Sequence, residues 1–224
     1  MGKVIIQEHT TVNPLQLMGE EAGICWNAKT TNEAKNIERA KDCIISGHGR
    51  VMEYPQVYMT LDGYSARVIR EFYTHVGGLS TRLQSSTRYI DYESGFTFVT
   101  PPSIENKEYL RSVYIATMET ICKQMKYLED EGVPREDCAM LLPLGMTTTV
   151  VVRMNLRTLV DMSRQRLCSR AYWEFRTLFK DISKALGDYS EEWKWIVGSC
   201  FMPKCEAAGF CTEKNSCGRK VAKK

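Results

Sequence analysis

The chain has 224 residues, 43% of them hydrophobic and 25% charged, with a formal net charge of +3. Such a composition supports a substantial core, in one large domain or two small ones. The mild charge argues against a dedicated nucleic-acid binder, and no apolar run approaches the roughly 18 residues that cross a bilayer.

The opening Met1-Gly2-Lys3-Val4-Ile5-Ile6 is too short for a secretory signal and lacks the hydroxyl residue of a myristoylation signal. Val4-Ile5-Ile6 reads as a short strand. Thr30-Thr31-Asn32-Glu33 has the form of a capping box and predicts a helix through Ile37, Ala40 and Ile44, stopped near Gly47. Gln56 to Leu61 alternates as a strand with one buried face, and Asp62-Gly63 reads as a turn. Ser65 to Thr74 predicts a helix with Val68, Ile69 and Phe72 inward.

Pro101-Pro102-Ser103 introduces the next helix. Leu110, Tyr114, Met118, Ile121, Met125 and Leu128 recur at spacings of 4, 4, 3, 4 and 3, a long amphipathic helix ending near Gly132 and Pro134. Thr147 to Arg153 is almost wholly β-branched and predicts a strand. Leu156, Val160, Ser163, Leu167, Ala171, Phe175, Leu178, Ile182 and Leu186 trace one long helix that stops at Gly187. Ser190 then caps a final helix, with Glu191 and Glu192 in its first turn. Strands and long helices without regular βαβ alternation predict an α+β fold with an antiparallel or mixed sheet, as one domain over 1–224. The basic end, about 219–224, reads as a flexible tail.

Two constellations carry chemistry. Arg82-Leu83-Gln84-Ser85-Ser86-Thr87-Arg88-Tyr89 follows Gly77-Gly78 and packs arginines, a glutamine and hydroxyls into eight positions. Arginine forks and hydroxyls suit phosphate oxygens, and glycines let backbone N–H groups approach an anion. The same composition also fits a plain polar loop. The second constellation is Asn155, Arg157, Asp161, Arg164, Arg166 and Arg170. On one continuous helix, Arg157, Asp161 and Arg164 share an edge of the apolar stripe, and Arg166 and Arg170 share the other. Repeated arginine without lysine points to planar recognition, although a surface Arg–Asp ladder would read the same way. Asn155 opens the helix, where N–H groups and the dipole favour phosphate.

Together these residues resemble the flavin-dependent thymidylate synthases. The match rests on Ser86-Thr87-Arg88-Tyr89, Leu142-Pro143, Met154-Asn155-Leu156-Arg157-Thr158-Leu159 and Arg166-Leu167-Cys168-Ser169-Arg170-Ala171-Tyr172-Trp173-Glu174. The tail Pro203-Lys204-Cys205, Gly209-Phe210-Cys211 and Ser216-Cys217-Gly218-Arg219 is similar to tails in part of that family. The resemblance implies a homotetramer with active sites at subunit contacts. It also implies FAD as cofactor, dUMP as substrate, methylenetetrahydrofolate as carbon donor and NADPH as reductant.

By position, the resemblance makes Arg166 the catalytic arginine that contacts the uracil ring. It places Arg70, Gln84, Ser85, Ser86, Thr87 and Arg88 with dUMP. His48, Arg50, His75, Asn155, Leu156, Arg157 and Asp161 fall with FAD. The family's Arg-His-Arg signature opening is replaced by Tyr73-Thr74-His75, and a later histidine by Tyr54, with Glu53 kept. These departures leave room for a related modification such as hydroxymethylation, or for a non-catalytic nucleotide-binding relative.

Other readings remain beside this one. Cys168 lies on an expected helix and reads as packing, so no thiol stands out as the nucleophile of a folate-dependent synthase without flavin. Cys205, Cys211 and Cys217, with Cys200 nearby, could ligate zinc, but zinc sites use close cysteine pairs that are missing here, so no metal is expected. Tyr172 and Trp173 beside the arginines could serve nucleic acid, which the mild charge does not favour. Nine scattered cysteines fit reduced thiols and a cytoplasmic location without a membrane.

Overall fold

The computed structural model describes residues 2–75, 81–92 and 94–222. The elements in chain order are β1 (Lys3–Ile6), α1 (Pro14–Cys25), α2 (Glu33–Ile45), β2 (Gln56–Ser65), α3 (Ala66–Phe72) and β3 (Thr81–Gln84). They continue with α4 (Pro102–Glu105), α5 (Glu108–Asp130), α6 (Arg135–Cys138), β4 (Thr147–Asn155) and α7 (Leu156–Arg166). α8 (Trp173–Tyr189), α9 (Glu191–Cys200) and α10 (Lys204–Ala208) complete the order. A small antiparallel sheet has the strand order β1-β2-β4-β3, so the fold is α+β, as expected.

The chain divides into two compact units that interleave in sequence. One comprises Met1–Lys3, Leu61–Tyr73 and Leu83–Val150, and the other Val4–Thr60, Thr74–Arg82 and Val151–Lys224. In the first, Tyr92, Met125 and Met146 are buried together, with Ala66, Phe96, Ile121 and Leu142 packed around them. Thr149 donates from Oγ1 to Asp62 Oδ1 at 2.6 Å, and Lys3 pairs with the same carboxylate at 3.7 Å. Asp62-Gly63 is therefore part of β2 and not the expected turn. The cross-strand partners hold Asp62 in the sheet, while Gly63 takes a φ of 74° that a side chain would resist.

α5 forms where its periodicity predicts, but its apolar stripe is only partly covered. Met118 and Met125 are buried, whereas Leu110 is 39% exposed. α3 begins at Ala66, with Ser65 Oγ accepting from Val68 N at 3.2 Å. Val68, Ile69 and Phe72 are fully buried, as their spacing requires.

In the second unit, α1 packs on α2, and this helix had no counterpart in the sequence pattern. The contact depends on Gly19, because a Cβ there would lie 1.8 Å from the backbone oxygen of Asn36. Arg39 spans the contact, donating to Gly19 O at 2.7 Å and Asn36 Oδ1 at 2.8 Å. The N-terminal N–H groups of α1 find their acceptor far along the chain. Glu192 Oε2 takes Leu15 N at 2.6 Å and Gln16 N at 3.1 Å.

α2 is capped by Asn32, whose Oδ1 accepts from Lys35 N at 3.0 Å. The expected box from Thr30 does not form, since Thr30 instead offers its carbonyl to Asn36 Nδ2. The helix starting at Leu156 is also shorter than its stripe predicts. α7 ends at Arg166, and a non-helical link over 167–172 precedes α8. Arg176 Nη1 donates to the link carbonyls of Ser169 and Ala171, which satisfies them without an α-helical ladder. The stripe resumes in α8, where Phe175, Leu178, Ile182 and Leu186 are buried. α8 runs past Gly187 to Tyr189, and Ser190 Oγ caps α9 by accepting from Trp193 N. Beyond α10, the chain folds back as far as Ala222, with Cys211 N donating to Val221 O at 2.8 Å.

Candidate active site

The predicted site residues fall into two sets, one in each unit. In the first unit, Gln84 ends β3 and donates from Nε2 to Thr148 Oγ1 at 3.3 Å, while Ser85 N donates to Thr149 O at 2.9 Å. The chain then turns. Ser86 O accepts from Tyr89 N and Ile90 N, and Ser86 Oγ accepts from Arg88 N at 3.3 Å. Ser86, Thr87 and Arg88 are thereby presented on a tight turn at the end of a strand. Arg88 is exposed and pairs with Glu136 at 2.7 Å. Arg70 is exposed in the last turn of α3. The Gly77-Gly78 pair lies outside the described residues.

In the second unit, Asn155 is the last residue of β4 and the cap of α7, its Oδ1 accepting from Thr158 N at 2.9 Å. Leu156 is fully buried and its N–H donates to Pro55 O, so it anchors the helix from inside. Arg157 is exposed on the first turn and pairs with Glu53 at 2.6 Å. Glu53 closes a 3-10 turn, Gly49–Glu53, that also carries Arg50 and follows exposed His48. A Cβ on Gly49 would lie 3.9 Å from the Arg157 guanidinium, so this turn and the α7 start are neighbours. The exposed Arg50 and Arg157 guanidinium groups, with the His48 ring on the same turn, form a donor set suited to a dinucleotide's phosphates. FAD therefore fits the chemistry of these residues.

Asp161 pairs with Arg164 at 3.4 Å, while Arg157 turns to Glu53. The expected Arg157–Asp161–Arg164 edge is thus split between two partners. Arg166 and Arg170 do not share a helix edge, because Arg170 lies in the link after α7. Instead Arg170 pairs with Glu213 at 3.6 Å and donates to Asn215 O at 3.1 Å.

Arg166 is half-buried at the end of α7. Its Nε donates to His75 Nε2 at 2.9 Å, and its Cζ lies 4.3 Å from the centroid of the Phe175 ring. Phe175 was read from the sequence only as core. Its spacing to Arg166 crosses the unforeseen link, so no helical periodicity could have paired them. Burial, and then the charge of Arg166, push His75 down to about 4. At neutral pH it is an uncharged acceptor.

Arg166 lines a cavity of about 500 Å³ together with Arg164, Arg170, Lys204 and Arg219, in the size range of small-ligand sites. Cys168, Cys205, Cys211 and Cys217 lie on the same walls. Hydrogen bonding, from Ser169 foremost, lowers Cys217, while burial raises Cys200 to about 11. Among the described residues, no group of three or more His, Cys, Asp or Glu is placed to hold a metal ion. Among the same residues, no helix is long and apolar enough to cross a membrane.

These features define an α+β protein with an arginine-lined cavity. The chain belongs to the thymidylate synthase complementing protein family, whose model matches residues 7–189. It is 29% identical over 184 residues to the flavin-dependent thymidylate synthase of Geobacter sulfurreducens, covering 79% of this chain and 78% of that protein. Against the flavin-dependent thymidylate synthase of Clostridium tetani the identity is 26% over 242 residues, covering 97% and 93%. The fold is similar to that of thymidylate synthase X from Helicobacter pylori, solved with FAD and dUMP. The TM-score is 0.69 at 17% identity, covering 90% of this chain and 99% of that one.

Proposed function

We propose that this chain is an FAD-dependent thymidylate synthase. It converts dUMP to dTMP with methylenetetrahydrofolate as carbon donor and NADPH as reductant. The observation that carries the reading is Arg166, a fixed guanidinium on the wall of an arginine-lined cavity in a chain of this family. A guanidinium keeps its charge at any working pH, so it stabilises negative charge developing on the uracil ring at N3. Ser86, Thr87 and Arg88, on their tight turn, are the phosphate ligands, with Arg70, Gln84 and Ser85 near them. Arg88 would exchange Glu136 for phosphate, a dianion that an arginine fork fits better.

His48, Arg50, Asn155, Arg157 and Asp161 hold FAD, with Leu156 fixing the helix beneath them. Flavin held there, once reduced by NADPH, would supply the hydride that completes the methyl group. The protein contributes orientation and charge, in keeping with a site rich in arginine. The family match crosses both units and supports treating the chain as one synthase domain. The active assembly is a homotetramer, and its setting is the cytoplasm, where reduced cysteines persist.

The test is an absorbance spectrum of purified protein with FAD, titrated with dUMP, followed by mass analysis of the nucleotide product. A bound-flavin spectrum perturbed by dUMP, and a product heavier than dUMP by one methylene, are expected. Absence of flavin binding with excess FAD would remove the reading, and a hydroxymethyl product would change it.

A further inference from the structure

An arginine side chain is long and has several rotatable bonds. If left mobile, it would lose conformational entropy each time it engaged a ligand. Arg166 is the last residue of α7, so its backbone is anchored by the helix on one side only. Its side chain meets Phe175 by cation–π contact at 4.3 Å and His75 by the 2.9 Å hydrogen bond, while Thr74 Oγ1 lies 3.5 Å from Nη2. Phe175 is itself fully buried on α8. Its ring meets that of His75 edge-on at 5.6 Å and 72°. The two rings form a rigid corner around the guanidinium.

We infer that His75 is a positioning residue: its bare Nε2 accepts from Arg166 Nε and, with Phe175, holds the guanidinium at the cavity wall where the nucleotide base is recognised. The identity of that ligand rests on the synthase reading above. The contact uses the inner nitrogen of the fork and so sets the plane that carries both terminal nitrogens. It requires a neutral imidazole with its proton on Nδ1, and the lowered basicity of His75 favours that form. Sequence position grouped His75 with the flavin contacts, and the hydrogen bond gives it this other task.

The experiment compares wild type, His75→Leu and His75→Gln in dTMP formation with FAD, NADPH and methylenetetrahydrofolate, varying dUMP. Glutamine places Oε1 near the position of Nε2 and keeps an acceptor, whereas leucine keeps only bulk. His75→Leu is expected to retain the flavin spectrum and melting temperature but lose roughly ten- to hundredfold in kcat/KM for dUMP. His75→Gln should return to within about threefold of wild type, as the acceptor is restored. Full activity in His75→Leu, or equal losses in both variants, overturns the inference while leaving an active wild type as a synthase. A wild type that makes no dTMP overturns both readings. Nitrogen NMR of the wild-type imidazole at neutral pH decides the matter even if His75→Leu does not fold. An Nδ1–H tautomer is expected, and a protonated Nε2 overturns the inference.

Discussion

Arg166 and His75 illustrate how two side chains 91 positions apart become hydrogen-bond partners. Replacing Arg166 with alanine should leave the fold intact, because its guanidinium lies on a cavity wall and not in the core. Turnover should fall by about 10²-fold or more, the scale at which a charge-stabilising donor acts. Circular dichroism and dTMP formation together check this, and near-normal activity would remove Arg166 from its role. His75 also makes the fold sensitive to acid. Its pKa in the fold is about 4, below the ordinary 6.5. Above pH 6.5 both folded and unfolded forms are neutral at this site, and its full contribution is present. As pH falls from 6.5 toward 4, the unfolded chain binds the proton first and stability is lost. Melting temperatures across that window should drop more steeply in wild type than in His75→Gln.

At the scale of elements, the α1–α2 contact is the most demanding. Helices approach this closely only where one lacks a side chain, and Gly19 meets the Asn36 backbone, which cannot swing aside. Gly19→Ala should therefore destabilise by about 2 kcal/mol or more, despite the better helix propensity of alanine. Urea denaturation measures the change, and an unaltered midpoint would show that the helices can separate without cost. The start of α1 depends equally on a distant partner, since Glu192 from α9 accepts its first N–H groups. No local motif announces a helix capped in this way. The break between α7 and α8 has a similar origin, with Arg176 satisfying carbonyls that a continuous helix would have used.

For the whole molecule, the assembly state is the question that α5 raises, because this helix leaves apolar side chains exposed. Tyr109 is 78% exposed and Val113 50%, on a helix otherwise long enough to organise a core. A homotetramer gives such apolar side chains a place to be buried. Sedimentation equilibrium should return four times the 25.7 kDa chain mass. A monomer at micromolar concentration would sink the tetramer proposal. Placing a charge at Val113, as Val113→Glu, should lower the assembly state if α5 is part of that contact.

The amino-acid sequence by itself determined the α+β class, the β4 strand, the α3 helix and the long α5. In each case the signal is local, carried by alternation, β-branching or a 3.6-residue stripe within a short span. It also placed Asn155 at the junction of strand and helix, because that depends on residue type and immediate neighbours. Only the tertiary structure decided that β2 runs through Asp62-Gly63, that α1 exists, that the Leu156 helix stops at Arg166, and that Arg166 meets His75 and Phe175. Those outcomes depend on hydrogen bonds and packing between residues far apart in the chain. Such partners carry no periodicity, and their energies exist only once the backbone has brought them together.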